Sequence, residues 1–347
     1  MPIVDMPLEK LKTYRGINPR PKDFERFWED ALAEMRAVDP KVALAPAEFQ
    51  TPFAECFDLT FTGVRGARIY AKYLRPRRAP APHPAVLLFH GYSGHSEDWT
   101  QKLGYVAAGF SVAALDCRGQ GGRSEDPGAT KGTTLRGHII RGLADSPENL
   151  LFRSIFLDTA ELARIVMGMP EVDPARVGAT GGSQGGGLTL ACAALEPRIN
   201  RAAPAYPFLC DYRRVWEMDL ALNAYEELRW FFRSFDPRHE SEEEIFTRLG
   251  YIDLQNLAKR IRGKVLMAVG LMDTICPPST QFAAFNKIVA PKELAIYPDH
   301  AHEGLPGWSD RVFQFMLEMA APAAGSKKNL AEACEPRRVR KNPRKVY

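Results

Sequence analysis

Ser183 stands in Gly181-Gly182-Ser183-Gln184-Gly185, between the short apolar run Arg176-Val177-Gly178-Ala179-Thr180 and the helix-like run from Gly186 to Leu195. The order reads as strand, sharp turn, helix, with the serine at the apex. Such a turn is too tight for side chains two residues before and two after the serine, and glycine fills both places, at 181 and 185. The first N–H groups of the following helix then face whatever Ser183 attacks, so charge developing on a carbonyl oxygen meets donors already in position. The chemistry of such a turn is nucleophilic attack on a carbonyl. Serine among glycines also occurs in ordinary turns and in phosphate-binding loops, so the motif draws its weight from partners elsewhere in the chain.

A serine nucleophile needs a base and an acid that orients the base. In α/β-hydrolases these follow the serine in the order Asp or Glu, then His, each on a loop at the carboxyl end of a later strand. After Ser183 comes the apolar run Val265 to Gly270, leading through Leu271-Met272 to Asp273, which makes Asp273 the strand-end acid. A further strand-like run, Leu294 to Pro298, leads into Asp299-His300-Ala301-His302-Glu303-Gly304. Either His300 or His302 completes the order, and the spacing does not choose between them.

The elements that must hold these residues are legible from periodicity. Phe24, Phe27, Trp28, Ala31, Leu32 and Met35 recur at helical spacing and predict an amphipathic N-terminal helix. Alternation at Phe57, Leu59 and Phe61, a turn at 64–66 and the run Ile69 to Leu74 predict an antiparallel hairpin. A proline-rich connector, 76–84, leads to Ala85-Val86-Leu87-Leu88-Phe89, a continuous apolar run of the kind buried on both faces of a sheet, with His90-Gly91-Tyr92 at its carboxyl end. His90 reads as a structural hydrogen-bonding residue. Ser111 to Asp116 is another strand; Arg118-Gly119-Gln120-Gly121-Gly122 follows it as scaffold beneath the site, since it lacks the spacing of a phosphate loop. Ser146-Pro147 predicts a helix over about 148–168 capped by the serine, and Ala202 to Ala205 a strand. Residues 211–263 break the strand–helix rhythm and read as a cap-like insertion.

Arg118-Gly119-Gln120-Gly121, Gly181-Gly182-Ser183-Gln184-Gly185 and His302-Glu303 together resemble the signature set of carbohydrate esterase family seven, the acetyl xylan esterases and cephalosporin C deacetylases. Tyr14-Arg15-Gly16 through Phe27-Trp28, His90-Gly91-Tyr92 and Gly270-Leu271-Met272-Asp273 through Thr280 are similar to that family as well, so the likeness runs over roughly residues 5 to 320. The resemblance implies Ser183 as nucleophile, His302 as base, Asp273 as acid, and the backbone N–H groups of Tyr92 and Gln184 as the oxyanion hole. It implies an esterase acting on acetylated xylo-oligosaccharides, cephalosporin C-like molecules or other small acetyl esters, assembled as a homohexamer. The chain departs from the family at Asn149-Leu150-Leu151-Phe152-Arg153, where a tyrosine-rich tract is usual, and in the basic segment after Gly325. The first departure bears on substrate preference or assembly.

The expected fold is therefore α/β, an α/β-hydrolase with a mostly parallel central sheet and helices on both faces. One catalytic domain spans 1–324, with a helical extension over about 5–40 and the insertion over about 211–263; a basic, disordered tail occupies 325–347. That tail carries eight lysines and arginines against two glutamates, a net +6 that exceeds the +4 of the whole chain and leaves −2 for the body. Apart from Tyr347 it has no aromatic interleaving, so a solvated terminus is expected rather than a nucleic-acid-binding arm. No run of about 18 apolar residues is present to span a bilayer, so no membrane partner is expected. The start, Met1-Pro2-Ile3-Val4-Asp5, has neither a basic nor an apolar leader region, and a cytoplasmic location is expected. Six scattered cysteines without CxxC spacing predict reduced thiols. His302-Glu303 lacks the second histidine of a zinc-binding HExxH motif, so neither metal nor cofactor is expected. Other readings of the same residues are a peptidase or lactone hydrolase, a nucleic-acid-associated protein, and an inactive binding module.

Overall fold

The computed structural model describes residues 4–128 and 137–320. Nine strands form one sheet among the described residues: β1 (Ala43–Pro46), β2 (Ala54–Thr62), β3 (Arg68–Pro76), β4 (His83–Phe89), β5 (Ser111–Leu115), β6 (Val172–Gly182), β7 (Arg201–Ala205), β8 (Lys264–Gly270) and β9 (Lys292–Tyr297). Their spatial order is β1-β2-β3-β5-β4-β6-β7-β8-β9, antiparallel up to the β3–β5 pair and parallel from β5 to β9. The helices are α1 (Leu8–Leu11), α2 (Phe24–Ala37), α3 (Leu103–Ala107), α4 (Leu151–Met167), α5 (Gln184–Leu195), α6 (Tyr212–Glu217), α7 (Glu226–Phe235), α8 (Glu242–Leu249), α9 (Leu254–Leu257), α10 (Pro278–Lys287) and α11 (Trp308–Leu317). None of them is long and apolar enough to cross a membrane.

Alternation along the strands sorts the core into two layers. Ala85, Leu87 and Phe89 of β4 face the cluster built by α2, α4, α5 and α10, while Val86 faces Trp308, Val312 and Phe315 of α11. Burial on both faces is why these strands read as continuous apolar runs. The chain leaves β4 through α3 to pair β5 on one side and returns through α4 to pair β6 on the other. That reversal opens a crevice at the carboxyl ends of β4 and β6, where Gly91-Tyr92 and Ser183 lie.

Several local expectations meet a different outcome. Pro147–Asn149 form a 3₁₀ turn, Ser146 makes no side-chain cap, and the helix proper starts at Leu151. Leu150 is extended (φ −59°, ψ 127°), so the chain turns before the helix begins. β1 is an edge strand with all four residues exposed, which leaves no apolar alternation to read. The predicted disordered tail and Cys334 lie outside the described residues; the other five cysteines are buried free thiols.

The Leu150-Leu151-Phe152 departure lies inside the protomer. All three side chains are buried in the layer against α2, and Arg153 pairs with Glu34 at 2.6 Å across the Phe27 ring.

Arg118 and Asp158 are both 1% exposed and form a bidentate ion pair, Nε to Oδ2 at 2.7 Å and Nη2 to Oδ1 at 2.6 Å. Burial works against the Arg118 cation, but the Asp158 charge and hydrogen bonds outweigh it and hold its pKa above the ordinary value. The pair ties the loop after β5 to the middle of α4. Asp158→Ala leaves that guanidinium buried and unpaired, and should cost about 3–5 kcal/mol of unfolding free energy in urea titrations. Replacing both residues with leucine should cost less than either single alanine variant.

Candidate active site

Strand β6 runs to Gly182, and Ser183 follows at φ 58° and ψ −120°, a conformation that L-residues avoid unless the surroundings impose it. The surroundings here are backbone. A Cβ at Gly181 would lie 2.5 Å from the Phe89 carbonyl oxygen, and one at Gly185 would lie 2.1 Å from it, so both glycines are required by the close approach of β4. Ser183 N–H donates to the Ala205 carbonyl at 3.1 Å, and the Ser183 carbonyl accepts from Gly187 and Phe208, each at 3.0 Å. The turn is thereby fastened to the end of β7 and to the start of α5.

Two loops from the far side of the sheet reach this turn. Asp273, after β8, is fully buried; its Oδ1 accepts from the N–H groups of Ile275 and Cys276 at 2.9 and 2.8 Å, and its Oδ2 from Gln281 Nε2 at 3.3 Å. His302, after β9, donates from Nδ1 to Asp273 Oδ2 at 2.9 Å, and its Nε2 stands 2.9 Å from Ser183 Oγ. With Nδ1 protonated to serve the carboxylate, Nε2 is the nitrogen left to accept the serine proton. The structure thus brings Ser183, His302 and Asp273 into one relay. It leaves His300 out: that ring packs edge-on against Tyr297 at 5.6 Å, and its Nδ1 is buried with no partner among the described residues.

On the opposite side of Ser183, Gln184 opens α5 and Tyr92 follows β4. Among the described residues, neither backbone N–H has an acceptor within the protein. The Gln184 side chain joins the two loops: its amide exchanges hydrogen bonds with Gln120, at 2.9 and 3.0 Å, and donates to the Gly91 carbonyl at 3.4 Å. Arg118-Gly119-Gln120-Gly121 is therefore the floor under the site. His90 donates to the Gly91 carbonyl from Nδ1 at 2.7 Å and accepts the Cys117 N–H at Nε2 at 3.0 Å, with burial holding its pKa below the usual value. Both ring nitrogens are used in holding the loop.

Tyr92 is braced on its outer side. Its Oη accepts the His138 N–H at 3.0 Å, its ring lies 4.8 Å from the His138 ring, and Phe208 packs edge-on at 5.6 Å. Burial, with Arg141 beside it, lowers the His138 pKa to about 4, so this imidazole is neutral near pH 7. The segment between β7 and β8 reaches the same region, since Glu227 of α7 accepts the Ile139 and Ile140 N–H groups at 2.6 and 3.2 Å.

Asp273, Cys276 and His302 place three metal-ligating atoms within 4.8 Å of one another. The carboxylate oxygens and both imidazole nitrogens already serve the hydrogen bonds above, and burial pushes the Cys276 thiol well above its ordinary pKa. The donor set is committed to the relay. Sequence reasoning did not find Tyr206, whose ring lies 4.7 Å from that of His302, nor Gln281, which supports Asp273. Neither carries a spacing signal, because both meet the site only through the fold.

The acetyl xylan esterase (AXE1) family profile matches residues 1–319. The chain belongs to this family. Acetyl xylan esterase 1 from Thermoanaerobacterium sp. JW/SL YS485 is 62% identical and superposes with a TM-score of 0.90 over 91% of this chain and 100% of that one. The acetyl xylan esterase from Paenibacillus sp. R4 is 34% identical, with a TM-score of 0.86 over 90% and 99%. Acetyl esterase Axe7A of Xylanibacter ruminicola is 28% identical over 300 residues, 85% of this chain and 65% of its own length. The chain thus spans just under two thirds of that curated relative. Solved structures at 16–18% identity, with TM-scores of 0.52–0.55, share the α/β-hydrolase fold alone.

Proposed function

We propose that this acetyl xylan esterase family member is a serine esterase that removes acetyl groups from small acetylated alcohols, acetylated xylo-oligosaccharides and cephalosporin C-like esters among them. The observation that carries the serine-hydrolase reading is the unbroken relay from Ser183 Oγ through His302 to buried Asp273, on a strained turn at the mouth of the sheet, and the choice of acetyl esters comes from the family match. Ser183 Oγ bonds to the ester carbonyl carbon as its proton passes to His302 Nε2. The backbone N–H groups of Tyr92 and Gln184 receive the oxyanion. Collapse of the tetrahedral species breaks the bond to the alcohol oxygen, which takes the proton from His302. Water then attacks the acetyl-serine with His302 again as base, releasing acetate and restoring the serine hydroxyl.

Residues 1–324 form the catalytic unit in this reading, with 211–263 as an insertion bordering the oxyanion loop. The family likeness further leads us to infer a homohexamer whose interior admits small substrates; light scattering of the purified chain measures its mass. Hydrolysis of a panel of acetylated sugars, small esters, lactones and peptides, read as acid released and as acetate for the acetyl esters, tests the activity, and turnover confined to lactones or peptides would refute it.

The match to acetyl esterases implies a small acyl site beside Ser183, and acetyl esters should be preferred. One methylene in an apolar pocket is worth about 1–3 kcal/mol, or roughly 10- to 200-fold in kcat/KM. Acetyl, propionyl, butyryl and octanoyl esters of one alcohol should therefore fall in that order. A maximum at butyryl or beyond would remove the deacetylase reading while leaving the serine hydrolase standing.

A further inference from the structure

The Tyr92 N–H, one of the two donors assigned to the oxyanion, belongs to a loop with glycine on either side, Gly91 and Gly94. Such a donor works only where it is held, because a displacement of about 1 Å can cost about 10²-fold in rate. The inner side of the loop is fixed through its backbone: Gln184 and His90 hold the Gly91 carbonyl, and Gln120 Oε1 accepts the Ser93 N–H at 3.0 Å. The outer side depends on His138. Its backbone N–H donates to Tyr92 Oη at 3.0 Å, and its ring Nε2 meets Ser93 Oγ at 3.0 Å. A cavity of about 470 Å³ adjoins Tyr92, Ser93 and His138, so packing does not close this side and the hydrogen bonds must hold it.

His138 has no regular element to sit in, since residues 137–146 form neither helix nor strand. A side chain from a distant part of the chain fixes the segment instead. Glu227 of α7 is 2% exposed, and its Oε2 accepts the N–H groups of Ile139 and Ile140, the two residues that follow His138. Gly137, on the other side of His138, sits at φ 135°, and a Cβ there would lie 2.9 Å from the same Oε2. The backbone thus wraps closely around this one oxygen. Glu227 Oε1 has no hydrogen-bond partner among the described residues, and burial pushes the carboxyl pKa up to about 8, so the group is an uncharged acid near pH 7. Burying an acid costs desolvation that an apolar side chain would not, and all that it bonds to is the backbone of this one short segment. We infer that Glu227 is a positioning residue for the reaction: through Ile139, Ile140 and His138 it holds the Tyr92 loop with its N–H aimed at the oxyanion. The inference rests on the esterase reading, with Tyr92 as an oxyanion donor, and adds to it an anchor on a helix that supplies no reacting group.

Steady-state hydrolysis of 4-nitrophenyl acetate near pH 7 provides the test. Glu227→Ala should lower kcat by about tenfold or more, toward the roughly 10²- to 10³-fold of losing an oxyanion donor outright, with KM within about twofold of the parent. Glu227→Gln keeps an acceptor oxygen for both N–H groups and should stay within about threefold of the parent kcat. Tyr92→Phe cuts the same connection at its other end while keeping the backbone N–H. It should also lower kcat at unchanged KM, and the combined Glu227→Ala/Tyr92→Phe variant should fall no further than the worse of the two. Parent-like kcat in folded Glu227→Ala would overturn the inference, as would an equal fall in Glu227→Gln, or single effects that multiply in the combined variant. Should circular dichroism show Glu227→Ala unfolded, Tyr92→Phe decides: parent-like kcat overturns the inference, and a lower kcat at unchanged KM supports it. All of these outcomes leave the esterase reading standing. No turnover by the unsubstituted chain is a different failure, which sinks that reading and this inference with it.

Discussion

Ser183→Ala should lower kcat on an acetyl ester by about 10⁴-fold or more, with the circular dichroism spectrum and the urea midpoint close to those of the parent. The loss is large because covalent catalysis ends while the oxyanion donors and the binding cleft remain, and those alone sustain only residual catalysis. Stability should be spared, since the turn is held by backbone contacts with β4 and β7, while the Ser183 hydroxyl itself meets His302 Nε2 and the Cys276 thiol. His302→Ala should be comparably severe. His300→Ala should leave turnover within about twofold, because its ring faces Tyr297 and no reacting group. Near-normal turnover by Ser183→Ala would remove it as nucleophile, and the reverse result for the two histidines would move the base.

Asp273→Asn carries the second large effect, again about 10⁴-fold in kcat, with little change in overall structure. The asparagine oxygen can keep the Ile275 and Cys276 N–H groups now held by Oδ1. Its NH₂ group then faces His302 Nδ1 and donates to it, which places the imidazole proton on Nε2. In that tautomer His302 offers a proton to Ser183 instead of accepting one. Stopped-flow measurement of acyl-enzyme formation separates this from an effect on release, because the fault lies in the first proton transfer. Acylation at the parent rate would show that Asp273 does not set the tautomer.

The serine turn, the strand-end acid and most of the strands are legible in the sequence because they rest on short-range physics. Apolar runs such as Ala85 to Phe89 are long enough to mark strands buried on both faces, and glycines at 181 and 185 mark a backbone approach that no other residue allows. The order Ser183, Asp273, then a histidine follows from the same local reading. What the tertiary structure decided depends on contacts between residues distant along the chain. His300 and His302 are two residues apart on one loop, and spacing does not tell which ring meets Ser183; the turn after β9 sends one toward the relay and the other onto Tyr297. Asp158 sits unmarked in an apolar helix, yet burial with Arg118 makes the two a single structural unit. The start of α4 shifted from Pro147 to Leu151 because the extended backbone at Leu150 outweighs the Ser-Pro capping signal. The cleft beside Ser183 is likewise invisible along the chain, because His95 to Lys102, Tyr206 and His302 belong to three loops that meet only where the parallel strands end side by side.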